Sequence, residues 1–314
     1  MVKSKKIVPH VVLLIGPHVP GVEPALLKII AAEKPSEVLC EGATSASTQN
    51  ELLSKFKRSD LPHPEDYAAN VSKVARDNGA KFSFVEHLSD FESKHCHDLV
   101  HEADAHIQVA IDHSRQGNLE NALDSVSSCF TRLSQLERFR SERFVRKLSR
   151  KASNADGRPI LALVGSAHSS IIKPLVKNGV KVTVYQVIPA DPVTSGLISS
   201  NYGTLSRSNL TRTLFQQFVI DLLKERCGFQ PKHVAFSEQL MPSLVKLRSI
   251  PLGEFEKFIS SMKGSNPNAF DFHFVRFLKN KGVNLPTAVE AEKIRANYAY
   301  GPVRKVKTFE PKSP

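Results

Sequence analysis

The sequence predicts an α/β fold: a mixed or parallel central sheet with a helical insertion, followed by a helical C-terminal part. Two apolar runs, "HVVLLIG" at 10–16 and "ILALVG" at 160–165, read as strands buried on both faces, and each leads through a glycine-containing loop into a helix. Between them, from Phe91 to about Ala152, the apolar/polar pattern turns into a long polar helical stretch, broken at Gln116-Gly117-Asn118. The α/β domain is expected over 1–200 with the insertion at about 91–152, the helical region over 201–300, and a flexible basic tail over 301–314.

Taken in order, the first strand is followed by "GVEPALLKIIAAEK" (21–34), where Leu26, Leu27, Ile29 and Ile30 fall at helical spacing and Pro24 is tolerated in the first turn. "PSEVLCEG" (35–42) supplies the next strand, completing a β-α-β unit. A second helix, closed by Asn78-Gly79, precedes the strand "KFSFVE". After Ile188 the stretch "PADPVTSGLISSNYGTLSRSN" reads as a long loop. Helices are expected at about Leu205–Cys227, Ser237–Arg248, Leu252–Met262, Phe270–Lys281 and Thr287–Ala299, with an unstructured stretch after them.

Composition narrows the function classes. A chain of 314 residues with 41% hydrophobic content can bury a sizeable core. Because it lacks any apolar run near the roughly 18 residues that a span needs, and its start shows no cleavage pattern, a cytoplasmic protein with no membrane span is expected. Cys40, Cys96, Cys129 and Cys227 are far apart and fit no paired metal spacing, so thiols are expected. The net charge of +12 attracts anions, and its basic residues cluster in "KSKK", in "RFRSERFVRKLSRK" (138–151) and in "VRKVK" (303–307). Nucleic acid is therefore one expected partner; a small-molecule or peptide substrate is the other, and a homo-oligomer is admitted. Nucleotide chemistry is disfavoured, since no phosphate-binding loop, complete Gly-x-Gly-x-x-Gly fingerprint or Gly-x-Ser-x-Gly elbow occurs.

The candidate site comes from two loops of the same kind. Gly16-Pro17-His18 and Gly165-Ser166-Ala167-His168 each follow a buried strand and precede a helix. Both histidines are thus expected at the C-terminal edge of the sheet, where strand ends and helix N-termini gather ligands. Gly16, Gly165 and Ser166 are the expected ligand-binding backbone, and an imidazole there serves as a metal ligand or a general base. Glu41 ends the strand after the first loop. Glu142 and Arg143 lie in the helix before the second histidine strand, with another Glu-Arg pair, Glu137-Arg138, five residues earlier. Two histidines, two carboxylates and an arginine suit a metal-assisted or acid/base hydrolytic site.

The stretches "IGPHVPGVEPALLKIIAAEKPSEVLCEG", "SERFVRKLSR" and "ILALVGSAHSSIIKPLVKNGVKV" together resemble the TraB/Tiki family, related to erythromycin-esterase-like and ChaN-like proteins, over roughly residues 8–190. The resemblance implies a hydrolase, with a metal-dependent peptidase as its sharper form. In it Glu41, Glu142, Arg143 and His168 are catalytic, and His18 and His168 hold a divalent metal of unspecified identity. The C-terminal helical part, about residues 205–300, has no counterpart in the resemblance. A rival metal motif is His97-Asp98-Leu99-Val100-His101, whose histidines four apart share a helix face. The reading from another class is a non-catalytic module binding a ligand or nucleic acid through the basic surface.

Overall fold

The structure is a computed structural model, and it describes residues 8–16, 22–42, 49, 51–52, 54, 67–187, 205–227, 246–290, 293 and 303–311. His18, most of the loop after Ile188 and most of the expected helices Ser237–Arg248 and Thr287–Ala299 lie outside them. Two compact units divide the chain. The first joins Met1–His97, Glu137–Ile188 and Ala299–Pro314; the second joins Asp98–Leu136 and Pro189–Tyr298.

In the first unit, β1 (His10–Ile15), α1 (Glu23–Glu33), β2 (Glu37–Cys40), α2 (Tyr67–Asp77) and β3 (Lys81–Phe84) follow the expected alternation. Helices α3 (Asp90–Arg115) and α4 (Leu119–Ser153) form the insertion, turning at Gly117 with φ +75°. The chain then returns to β4 (Ile160–Val164), a 3-10 turn (Ser166–Ile171), α5 (Ile172–Lys177) and β5 (Lys181–Val187). A last strand, β6 (Val303–Phe309), closes the sheet, whose order is β3-β2-β4-β1-β5-β6. Strands β1 to β5 run parallel, and β6 pairs antiparallel with β5.

The segment 303–309 corrects the expectation of a flexible basic tail. It pairs with β5, which would otherwise be an open edge, Val303 against Val187 and Lys307 against Val184, with a register irregularity between Val184 and Tyr185. Lys305 Nζ reaches Glu33 at 3.1 Å, and Lys307 lies over the Phe309 ring. The charges that suggested solvation sit instead on an edge strand, where lysines are common.

Each sheet face carries helices. Val12, Leu14, Val38, Leu161 and Leu163 pack with α1 and α2; Val11, Leu13, Ile160, Ala162 and Val182 pack with Phe144 and Leu148 of α4 and Leu175 of α5. All five residues of β4 are buried, as its unbroken apolar run requires. β4 is followed by α5 on one face of the sheet, while its neighbours β1 and β2 are followed by α1 and α2 on the other. The C-terminal end of β4 is therefore where the order of helices switches face, the position at which open α/β sheets gather ligands.

In the second unit the described helices are α6 (Arg207–Cys227), α7 (Leu252–Ser261) and α8 (Phe270–Asn280), besides the inner portions of α3 and α4. Their core is aromatic: Phe215, Phe218, Phe255, Phe270 and Phe274 are fully buried, with Phe218 and Phe270 ring centroids 4.7 Å apart. Among the described residues no helix is long and apolar enough to cross a membrane.

Candidate functional site

Helix α4 runs over the sheet antiparallel to β2. Arg140 Nη2 lies 2.7 Å from Glu41 just past the end of that strand, and about three turns later Lys151 Nζ lies 2.6 Å from Glu37 at its start. The helix face that meets the sheet is the series Glu137, Ser141, Phe144, Leu148 and Ala152, all buried, at spacings of three or four. Its lower part is apolar. The upper part, at the C-terminal edge of the strands, is polar yet equally buried, and that change marks the site.

His168 follows β4 in the 3-10 turn and is only 3% exposed. Its Nδ1 is 2.9 Å from the Ser141 hydroxyl and its Nε2 is 3.3 Å from Glu41 Oε1, while the ring tilts against Phe144 with centroids 4.5 Å apart. The Ser141 hydroxyl donates to Glu137 at 2.6 Å, and the Ser170 hydroxyl donates to the same oxygen at 2.7 Å. Glu41 also accepts the Gly165 backbone N–H at 2.6 Å. Arg140 donates to Glu86 through Nε at 2.9 Å and Nη2 at 2.5 Å, so one guanidinium joins the carboxylates that follow β2 and β3.

Burial opposes ionisation at each of these groups, and the partners decide the outcome. At His168, desolvation disfavours the imidazolium, but the Glu41 charge and the hydrogen bonds to Glu137 and Glu41 outweigh it and raise the pKa. Glu137, also buried, is drawn below the ordinary carboxyl range by hydrogen bonds from His168, Ser141 and Ser170. For Glu86 burial prevails over Arg140, and its pKa rises; its Oε2, fully buried, has no hydrogen-bond partner among the described residues. Arg140 is held cationic by Glu41 and Glu86 against its own burial. Glu137 and His168 thus favour opposite charge states, a base without its proton beside an acid with one.

His168 and Glu41, both expected in the site, are brought together. His18 lies outside the described residues. Gly165 contributes its N–H to Glu41, Gly16 donates its own to Val164 O at 3.1 Å, and Ser166 belongs to the turn that carries His168. Glu142 and Arg143 stand off the buried face of α4. Arg143 pairs with Glu92 in the first turn of α3 and lies 3.7 Å over the Phe139 ring, and Glu142 is exposed on the rim of a groove. The residues that reach His168 from this helix are Glu137 and Ser141, with Arg140 beside them. One signal for them is in the sequence: counting back from Ala152, Leu148 and Phe144 by fours and threes leads to Ser141 and Glu137. Glu86 ends its strand "KFSFVE" as Glu41 ends "VLCE".

No family model, curated protein or solved structure matches this chain.

Among the described residues no three His, Cys, Asp or Glu side chains are arranged to hold a metal, the His97–His101 stretch included. Within the cluster the reason is visible. Arg140 occupies the cation position between Glu41 and Glu86, and both nitrogens of His168 face protein partners. The described donors therefore do not fit a divalent ion as they stand.

The cluster has an outlet. A groove of about 510 Å³ has Glu137, Ser141 and Ser170 in its lining, with Val145 and Ile171 as apolar wall and Arg138 among its cations. The chain Glu41–His168–Ser141–Glu137 thus runs from the buried strand ends to a surface that a small substrate can reach.

Proposed function

We propose that this protein is a hydrolase of an ester or amide bond, a divergent relative of the TraB/Tiki-like proteins, with its substrate in the groove lined by Glu137, Ser141 and Ser170. The observation that supports this reading is the Glu137–Ser141–His168 relay, because its two ends are biased toward the charge states that general base and general acid need. Glu137 accepts a proton from the attacking water as the new O–C bond forms. His168 releases its Nδ1 proton to Ser141, whose own proton passes to the leaving group as the scissile bond breaks. Returning the proton from Glu137 through Ser141 restores the starting state. Glu41, fixed by Arg140 and the Gly165 N–H, holds the imidazole in place. No step runs through a metal.

The reading from another class, a polyanion-binding surface on α4, is weakened by where its cations go: Arg140, Arg143 and Lys151 are engaged by Glu41 and Glu86, Glu92 and Glu37. The test is turnover of chromogenic ester and peptide panels by the purified chain, with its metal content measured. Glu137→Gln and His168→Gln are each expected to lower kcat by about 10²–10⁴-fold, the usual contribution of a placed acid or base. Wild-type protein that turns over nothing while binding oligonucleotides with a steep salt dependence overturns the hydrolase and favours the binding module.

A further inference from the structure

A second chemical feature lies lower on α4, apart from the His168 cluster. Lys147, Arg150 and Lys151 occupy one turn of the helix, at spacings of three and four that put them on adjoining positions of one face. The acid that could neutralise them is already engaged: Glu37 Oε1 accepts from Lys151 at 2.6 Å and from the Ser83 hydroxyl at 2.6 Å. Among the described residues no carboxylate pairs with Lys147, which is half-buried, whereas Arg150 is exposed beside it. His87, exposed just beyond β3, faces the same three cations. The result is a half-buried amine with no carboxylate paired to it among the described residues, beside an exposed guanidinium.

We propose that Lys147 is an acyl-acceptor amine whose substrate class is the acyl phosphates, with exposed Arg150 drawing in the phosphate. The groups that bear on its charge are Lys151 and Arg150 on its own helix, Glu37 on β2, and Glu86 and His87 after β3. Burial, then the Lys151 and Arg150 charges, hold the Lys147 ammonium down at about 8, with Glu37 and Glu86 opposing. At pH 7.4 roughly a fifth of such amines are neutral, against about a thousandth of ordinary lysines. Desolvation beside other cations is a known route to a nucleophilic lysine. In the reaction the Nζ lone pair forms a C–N bond to the acyl carbon, the bond from that carbon to the bridging oxygen breaks, inorganic phosphate departs with that electron pair, and the nitrogen loses its proton to solvent. The product is an amide that removes one cation from the turn. This inference is independent of the proposed hydrolase.

The experiment treats the full chain with acetyl phosphate at pH 7.4 and follows acetylation of each lysine by peptide mass spectrometry; a parallel series uses uncharged N-hydroxysuccinimidyl acetate. Lys147 is expected to react about tenfold faster than exposed Lys28 and Lys177 with both reagents, its lead being larger with acetyl phosphate. Arg150→Ala, at an exposed position that leaves the fold intact by thermal melting, is expected to remove that extra lead. If Lys147 reacts no faster than Lys28 and Lys177, the reactive amine is refuted. Equal leads with the two reagents, or an Arg150→Ala protein indistinguishable from wild type, overturn the acyl phosphate assignment.

Discussion

Replacing Arg140 by Ala tests the arrangement on which the site stands. The guanidinium is the cation between Glu41 and Glu86, at 2.7 Å and 2.5 Å, and these carboxylates are only 8% and 0% exposed. Removing it takes from buried Glu86 the only cation paired with it among the described residues, and leaves Glu41 to the Gly165 N–H and His168. An attraction of about 4 kcal/mol per pair follows from Coulomb's law at an effective dielectric near 20. Since the lost solvation of the arginine offsets part of it, the net destabilisation expected is about 3–5 kcal/mol, the range for breaking a buried pair from one side. For a unit of this size that corresponds to a fall in Tm of roughly 6–20 °C. Arg140→Lys, which keeps the charge and loses the second hydrogen bond, should fall between. The loss must also depend on pH. The Glu86 pKa is already raised in the folded protein, so its carboxyl favours folding when protonated and disfavours it as pH rises through the folded value; without Arg140 this value rises further. The deficit should accordingly shrink between pH 8 and pH 5. Urea unfolding followed by circular dichroism at pH 5, 6.5 and 8 measures it. A deficit below about 1 kcal/mol at all three would show that the ion pairs contribute little and that the reading of this cluster is wrong.

Three further expectations concern pH and backbone. The folded pKa of His168 is raised, so its contribution to stability is complete below the ordinary imidazole value and disappears as pH climbs through the folded one; Glu137, whose pKa is lowered, contributes above the ordinary carboxyl range and loses this as pH falls through its folded value. Stability should therefore decline on the alkaline side in wild type and not in His168→Gln, and a decline unchanged by the substitution would assign it to another group. Gly117 has φ +75°, and a β-carbon there would stand 2.3 Å from the Lys263 backbone nitrogen, whereas Gly79, at φ +72°, has open space around it. Gly79→Ala should cost about 1 kcal/mol from the left-handed conformation alone and Gly117→Ala at least about 2 kcal/mol more; equal losses in thermal melts would discount the contact. Ser89 and Glu92 cap α3 reciprocally, the Ser89 N–H donating to Glu92 at 2.8 Å, and with Arg143 this holds the Glu92 carboxyl at about 2. Ser89→Ala should lower stability by about 1 kcal/mol and raise that value, as followed by carboxyl NMR titration.

The sheet was legible in the sequence because its signal is composition over a few residues. Five unbroken apolar positions at 160–164 suffice to mark a strand covered on both sides, and Asn78-Gly79 marks where a helix must stop. The edge strand β6 was not, since "VRKVK" carries charge on three of its five residues and its place is decided by a partner strand 125 positions away. The site divides along the same line. Glu41 and His168 were found from strand ends, a local feature. Glu137 and Arg140 were passed over for Glu142 and Arg143 because neighbouring residues on a helix differ by 100° in direction, and a single Glu-Arg dipeptide does not say which side meets the sheet. Anchoring the count on Phe144 and Leu148, both fully buried, supplies that phase.

The pairing of β5 with β6 also bears on how the chain is made. Thr183 and Thr308, which face each other across that pair, are 125 residues apart, and most of the second unit is synthesised between them. At 5–20 residues per second the ribosome takes roughly 6–25 s to deliver β6 after β5 has emerged. For that interval the five parallel strands present β5 as an unpaired edge, with apolar Val182 and Val184 at its centre, open to any other nascent strand. This open edge thus exists only until β6 pairs, and slower elongation through the second unit prolongs its exposure.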